Sequence, residues 1–236
     1  MTSQSVAVDT SVILVVRNGA DYIADAITSV LDGTRIPREI VVIDGHSTDH
    51  TVAIASRFER VVVFTQASRG IAAAYNEGIA KARGERLAFI SHDDRWTPDK
   101  LERQSALLDA QSATWGCVGH VQHFLADGAT PPAGFRTSLL DAPVPGFIME
   151  SLLVRGEIFR QVGLFDESIP SAHDTDWFAR ARDAGIDIAL LSETVLHKRV
   201  HGTNASITDG HLNGQLLRAL RASINRKRGG ESAATA

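Results

Sequence analysis

The stretch Ile40-Val41-Val42-Ile43-Asp44-Gly45-His46-Ser47-Thr48-Asp49 changes its chemistry half-way along. Four β-branched apolar residues come first, without the polar alternation of a strand that has one wet face. Such a run suits a strand covered on both sides, as in a parallel sheet. Asp44 and Gly45 then favour a turn, and Ser47-Thr48-Asp49 offer capping and first-turn groups to a helix continuing through Val52, Ala55 and Phe58 on one face. The stretch therefore predicts strand, turn and helix in succession.

The same unit recurs on either side. Val12-Ile13-Leu14-Val15-Val16, Val61-Val62-Val63-Phe64 and Leu87-Ala88-Phe89-Ile90 are strand-sized apolar runs. Ile23, Ile27, Val30 and Leu31 recur at helical spacing before Asp32-Gly33, and Ile71, Tyr75, Ile79 and Ala82 do so before Gly84. This is a βα repeat. Thr97-Pro98-Asp99 reads as N-cap, first-position proline and first-turn acid of a helix running to about Leu108. Prolines and glycines between 127 and 146 predict loops and a change of architecture. Beyond them the pattern predicts an apolar segment through Val154, a helix from Gly156 to Val162 and another from Thr175 to Ala184.

With 236 residues, 44% of them hydrophobic, the chain can bury a full core in one α/β domain. Its net charge of -4 argues against a nucleic-acid partner. Cys117, the sole cysteine, has no disulfide partner, which agrees with a reducing compartment. The first ten residues lack a basic-then-apolar leader, and no apolar run approaches the ~20 residues of a membrane span. A cytoplasmic protein is expected. The segment 212–228 mixes Leu216, Leu220 and Ile224 with Arg218, Arg221, Arg226, Lys227 and Arg228. It reads as a surface helix packed on the domain or on the second copy of a homodimer. Peripheral contact with an anionic inner membrane face is the alternative.

Ligands of an open parallel sheet collect beyond the carboxyl ends of its strands. Arg17-Asn18, Asp44 and Ser91-His92-Asp93-Asp94 all fall there, which makes Arg17, Asn18, Asp44 and Asp94 candidate donor contacts. Carboxylates suit Mg²⁺ or Mn²⁺, ions that also keep water and substrate oxygens. Asp93 is the candidate direct ligand, Asp94 could place a metal-bound water or a donor hydroxyl, and Asp44 could accept from a base or ribose. Each of these acids, taken alone, could equally serve a turn or a helix entry.

In order along the chain, segments 12–18, 39–51, 68–78 and 89–104 resemble the blocks of family-2 glycosyltransferases. The opening stretch and Trp96-Thr97-Pro98-Asp99-Lys100-Leu101 carry this most specifically. The resemblance continues through Val162-Gly163-Leu164-Phe165-Asp166-Glu167 and His173-Asp174-Thr175-Asp176-Trp177-Phe178 to Arg199-Val200-His201-Gly202-Thr203-Asn204-Ala205-Ser206. It implies a GT-A fold, a Rossmann-like and mostly parallel sheet flanked by helices. It also implies one domain over 11–206, with a nucleotide-sugar half at 11–115 and an acceptor half at 116–206. A flexible segment 1–10, a helix 207–228 and a disordered tail 229–236 would complete the chain.

The implied activity is inverting transfer of a sugar from a nucleotide diphosphate donor to a hydroxyl of a glycan, lipid-linked or other acceptor. Asp174 matches the family's catalytic base, with Asp176 supporting it from behind. Asp93 matches the metal position and His201 the histidine that closes over metal or diphosphate, while Gly70 belongs to the glycine loop of the donor pocket and Asn76 to the helix after it. Three departures stand out: Gly45 and Ser91 occupy positions where the family commonly has an acid, and His173 occupies another. The sequence also leaves open a noncatalytic sugar-nucleotide-binding or scaffold protein and a nucleotidyltransferase. Arg17-Asn18-Gly19-Ala20-Asp21 supplies neither a glycine-rich activation loop nor the G-x-G-x-x-G of a dehydrogenase.

Overall fold

The apolar run at residues 12–16 is the end of a longer strand, β1 (Val6–Val16), in a computed structural model that describes residues 6–169, 171–202, 214–217 and 221–226. Regular structure thus starts inside the segment expected to be flexible. Strands β2 (Arg35–Asp44) and β4 (Arg86–Ser91) flank β1 in parallel, and β3 (Val61–Thr65) pairs in parallel with β2. The other strands are β5 (Arg95–Trp96), β6 (Gly116–Leu125), β7 (Val144–Pro145), β8 (Leu153–Arg155) and β9 (Ile188–Val200). They extend the sheet to the order β3-β2-β1-β4-β8-β6-β9-β5, with β7 beside β6. Pairing turns antiparallel at β4-β8 and β8-β6, then parallel at β6-β9, where the register shifts twice. The expected change of architecture is this reversal.

Successive residues of the central runs alternate between two cores, as the pleat requires. Val12, Leu14, Ile40, Val42, Ala88 and Ile90 pack with Ile23, Ala26, Ile27 and Val30 of α1 (Ile23–Leu31) and with Leu101 and Leu108 of α4 (Lys100–Ala110). On the other face Ile13, Leu87 and Phe89 meet α3 (Ile71–Lys81), α5 (Ile158–Val162) and α6 (His173–Asp183) through Tyr75, Ile158, Phe159 and Trp177. Burial on both faces explains why those runs contain no polar alternation.

Several helix starts differ from expectation. Helix α2 is short (Thr51–Ala55) because Ser47 and Thr48 bond with Asn18 across the crevice, leaving Asp49 to accept from the Thr51 amide at 3.0 Å. Thr97 does not cap α4. Its hydroxyl donates to the Thr194 carbonyl in β9 (3.2 Å), and the helix starts at Lys100. Helix α6 starts at His173, so Asp174 and Asp176 lie in its first turn.

Beneath the parallel strands, buried Glu39 accepts from the Ser11 hydroxyl (2.7 Å) and from Arg83 Nε (2.9 Å), and Ser11 Oγ accepts from the Gly84 amide (2.8 Å). A Cβ on Gly84 would lie 2.5 Å from the Ser11 backbone nitrogen, which cannot rotate aside. Gly84→Ala is therefore expected to lower stability by about 1–3 kcal/mol, read as a drop in the urea midpoint at unchanged slope.

The two described helical stretches near the C-terminus, 214–217 and 221–226, dock on α6 and on the segment before it. Gln215 accepts from the Ser171 amide (2.7 Å), buried Ser223 donates to Asp183 (3.0 Å), and Arg226 Nε reaches the same carboxylate (3.0 Å). Ser223, not Ile224, points inward, since Ile224 is exposed. Leu220, Arg218, Lys227, Arg228, Asn204, Ser206 and the tail 229–236 lie outside the described residues. Among the described residues no helix is long and apolar enough to cross a membrane.

Candidate functional site

The order β2-β1-β4 brings three strand ends to one crevice, and side chains bind their loops together. Asn18, at φ 53°, receives the Thr48 amide on Oδ1 (2.8 Å), while its own amide donates to Ser47 Oγ (2.8 Å). Arg17 is exposed beside it. Gly19 lets the β4 end approach: a Cβ there would stand 2.5 Å from the His92 ring. Asp44 is 3% exposed; Oδ2 accepts from the Ser47 amide (3.0 Å), and buried Oδ1 has no partner among the described residues. An orphaned carboxylate oxygen is costly unless a ligand supplies the donor.

Gly70, at φ +100°, precedes α3 in a backbone conformation that side chains disfavour. Its carbonyl accepts from Gln66 Nε2 (2.8 Å), and Glu77 gathers the Ala67 and Ser68 amides (2.9 and 2.8 Å). Asn76 fastens α3 to the opposite half through both backbone groups of Phe165 (2.9 and 3.0 Å). This is structural support, as its place in the helix implied.

Asp93 and His201 meet, with Nε2 2.9 Å from Oδ2. Burial pushes the Asp93 carboxyl up, but Lys198, His92 and His201 together hold it below the ordinary value. Tyr22 stacks on His201 at 5.3 Å, and Arg199 lies over the Tyr22 ring (4.6 Å) while pairing with Asp25 (2.5 Å). The histidine is thus held by packing from the β1–α1 side of the crevice.

Asp94, read from the sequence as a donor contact, is turned inward. Its side chain is fully covered, with Oδ2 2.9 Å from Lys198 Nζ and Oδ1 accepting from the Arg199 amide (2.9 Å). Burial raises its carboxyl to about 7 against the pull of Lys198. The ammonium opposes its own burial through Asp94, Glu150 and Asp93, which hold it well above the ordinary lysine value. Glu150 stands 3.5 Å from Lys198 and accepts from Ser91 Oγ at 3.0 Å. Burial raises the Glu150 carboxyl, but Lys198, its own backbone amide and the Ser91 hydroxyl together hold it below the ordinary value.

Sequence reading missed both Glu150 and Lys198. The available signals were one acid inside the apolar segment 147–154 and one ammonium beside the favoured Arg199-Val200-His201.

Asp174 is partly buried, and its Oδ1 accepts from the next amide, that of Thr175, at 2.6 Å. Burial raises its carboxyl and Glu150 raises it further, against His173. His173 packs on Tyr75 (5.5 Å) and Phe165 (5.7 Å). Asp176, 4% exposed, pairs with Arg180 (2.8 Å), whose guanidinium also donates to the Val162 and Leu164 carbonyls (2.6 and 2.8 Å). Through that arginine it braces α6 against the α5 connection.

The profile of the family described as glycosyl transferase family 2 matches residues 11–162, from β1 through α5. The chain belongs to glycosyl transferase family 2. Its relatives include an uncharacterized glycosyltransferase of Rickettsia typhi, 30% identical over 84% of this chain and 66% of that protein. Another is the Bacillus subtilis glycosyltransferase TuaG, named for teichuronic acid biosynthesis, 34% identical over 51% of this chain and 49% of its own length. Staphylococcus aureus TarS, crystallised with UDP-GlcNAc, superposes with a TM-score of 0.71 at 18% identity, covering 92% of this chain and 66% of that one. Its UDP complex gives 0.69 at 19% identity, covering 91% and 65%. The fold is GT-A. This chain spans about two thirds or less of the length of these relatives.

Proposed function

We propose that this family-2 chain transfers a sugar from a nucleoside diphosphate donor to an acceptor hydroxyl, with inversion at the anomeric carbon. The observation that carries the reading is that Asp93, bonded to His201 after β4, and Asp174, in the first turn of α6, both interact electrostatically with Glu150. Asp44 Oδ1, the bound loop at Asn18 and the Gly70 turn supply the donor side.

Asp93 and His201 fit a hard divalent ion only in part. Among the described residues no set of three such side chains is arranged to hold a metal. Mg²⁺ ordinarily keeps several waters and phosphate oxygens, so two protein ligands are compatible with it. Charge supports the fit: Asp93, beside His201, is held below its ordinary value, and a diphosphate adds further negative charge. Such an ion would neutralise the departing diphosphate. On the chain's own side, Asp174 takes the proton from the acceptor oxygen as that oxygen bonds to the anomeric carbon and the bond to the diphosphate breaks.

A panel of nucleoside diphosphate sugars with Mg²⁺ or Mn²⁺ tests this, starting with UDP-GlcNAc because TarS holds it. Binding with release of the nucleoside diphosphate is expected. Binding without release under any acceptor condition would favour the noncatalytic reading. The acid limb of the pH profile gives a second check. Asp174 works only as the carboxylate, and its carboxyl is raised above 3.8. Transfer in the donor-saturated enzyme should therefore rise with pH through a midpoint above that value, and the limb should vanish in Asp174→Asn.

A further inference from the structure

The transferred sugar has to bridge the diphosphate, held near Asp93, and the base, Asp174. Three polar side chains interact with one or both of these acids, and none belongs to the segment 91–94. Tyr75 of α3 is 3% exposed, packs at a tilt against His173, the residue before the proposed base, and donates no hydrogen bond to any described residue through its hydroxyl. Glu150 comes from the 3-10 turn Met149–Ser151 and accepts from Ser91 (3.0 Å), at the end of β4. Lys198 joins Glu150 to Asp94 from β9.

Their electrostatic influence agrees with this placement. The carboxylate of Glu150 acts on Asp94, on Asp174 and on the Tyr75 hydroxyl, so it reaches groups from both halves of the crevice. Ser91 stands where a strand-end acid was expected, and its hydroxyl is bonded to a carboxylate delivered from elsewhere in the chain.

We propose that Glu150 and the Tyr75 hydroxyl form the subsite for the transferred sugar, and that the Glu150 carboxylate selects neutral, hydroxyl-bearing sugars over uronic acids. The inference rests on the donor reading above. A carboxylate accepts hydrogen bonds from sugar hydroxyls, and Lys198 keeps it charged. The carboxylate of a uronic acid would face those of Glu150 and Asp174, and like charges in a desolvated pocket are strongly disfavoured.

Calorimetric titration of the full chain with Mn²⁺ and two matched donor pairs, UDP-glucose with UDP-glucuronate and GDP-mannose with GDP-mannuronate, tests the proposal. The neutral member of whichever pair binds is expected to bind about tenfold tighter or more. Glu150→Gln should narrow that ratio while leaving the affinity for UDP or GDP alone unchanged, a split that a merely structural role would not produce. Tyr75→Phe should weaken the neutral donor and likewise spare the free nucleotide. Equal binding of neutral and acidic donors by the wild-type chain would overturn the proposal without any variant, and so would an unchanged ratio in folded Glu150→Gln. If neither these four donors nor any member of the wider nucleotide-sugar panel binds, the functional reading itself fails and this inference falls with it.

Discussion

Asp174→Asn is expected to bind a nucleotide sugar as the wild-type chain does and to lose sugar transfer by about 10²–10⁴-fold, the usual worth of a general base. Asparagine keeps the shape of the side chain and its acceptor for the Thr175 amide, so the first turn of α6 has no reason to move. What disappears is the group proposed to take the acceptor proton. The proposed donor contacts lie at the β1, β2 and β4 ends, on elements other than α6. Binding and chemistry should therefore separate, with the loss in kcat and little change in donor affinity. A variant that still transfers at the wild-type rate would remove Asp174 from the mechanism.

Lys198→Met should be the most damaging change to stability around the site, by about 3–5 kcal/mol, because it breaks a buried ion pair from one side. Methionine fills the same length but leaves Asp94, whose side chain is fully covered, and Glu150 without their shared counter-charge. The Arg199 amide remains on Asp94 and cannot replace an ammonium. Urea unfolding should show the loss. The double variant Lys198→Met with Glu150→Gln should recover part of it, since one of the stranded charges is then gone. A Lys198→Met chain as stable as wild type would mean that Asp94 and Glu150 do not depend on the ammonium.

The parallel half of the fold was legible in the sequence because its strands are continuous apolar runs and its helices have one apolar face. The other half was not, for a physical reason visible in β6 and β9. Each mixes Gly119, His120 and Gln122, or Glu193, Thr194 and His197, into a strand whose register slips twice, so no clean period survives. The helix caps were misread where capping residues had a long-range partner: Ser47 and Thr48 with Asn18, and Thr97 with Thr194.

The candidate site followed the same divide. That Asp44, Asp93 and the Asn18 loop lie at neighbouring strand ends was legible in the sequence. The partnership of Asp94, Glu150 and Lys198 joins positions 104 and 48 residues apart from the lysine, and no local pattern announces it. Asp176 shows the converse. It shares a sequence block with Asp174, but one turn along the helix Arg180 draws it to the other side.

If the β4 end holds the diphosphate of a nucleotide sugar and the α6 end performs the transfer, the affinity of the best-binding nucleotide sugar, measured with and without Mn²⁺ on the wild-type chain and on Asp93→Ala, is the most direct test. Mn²⁺ should tighten binding to the wild-type chain, and Asp93→Ala should lose this gain. An Asp93→Ala chain with the wild-type affinity and the same response to Mn²⁺ would contradict that placement of the diphosphate.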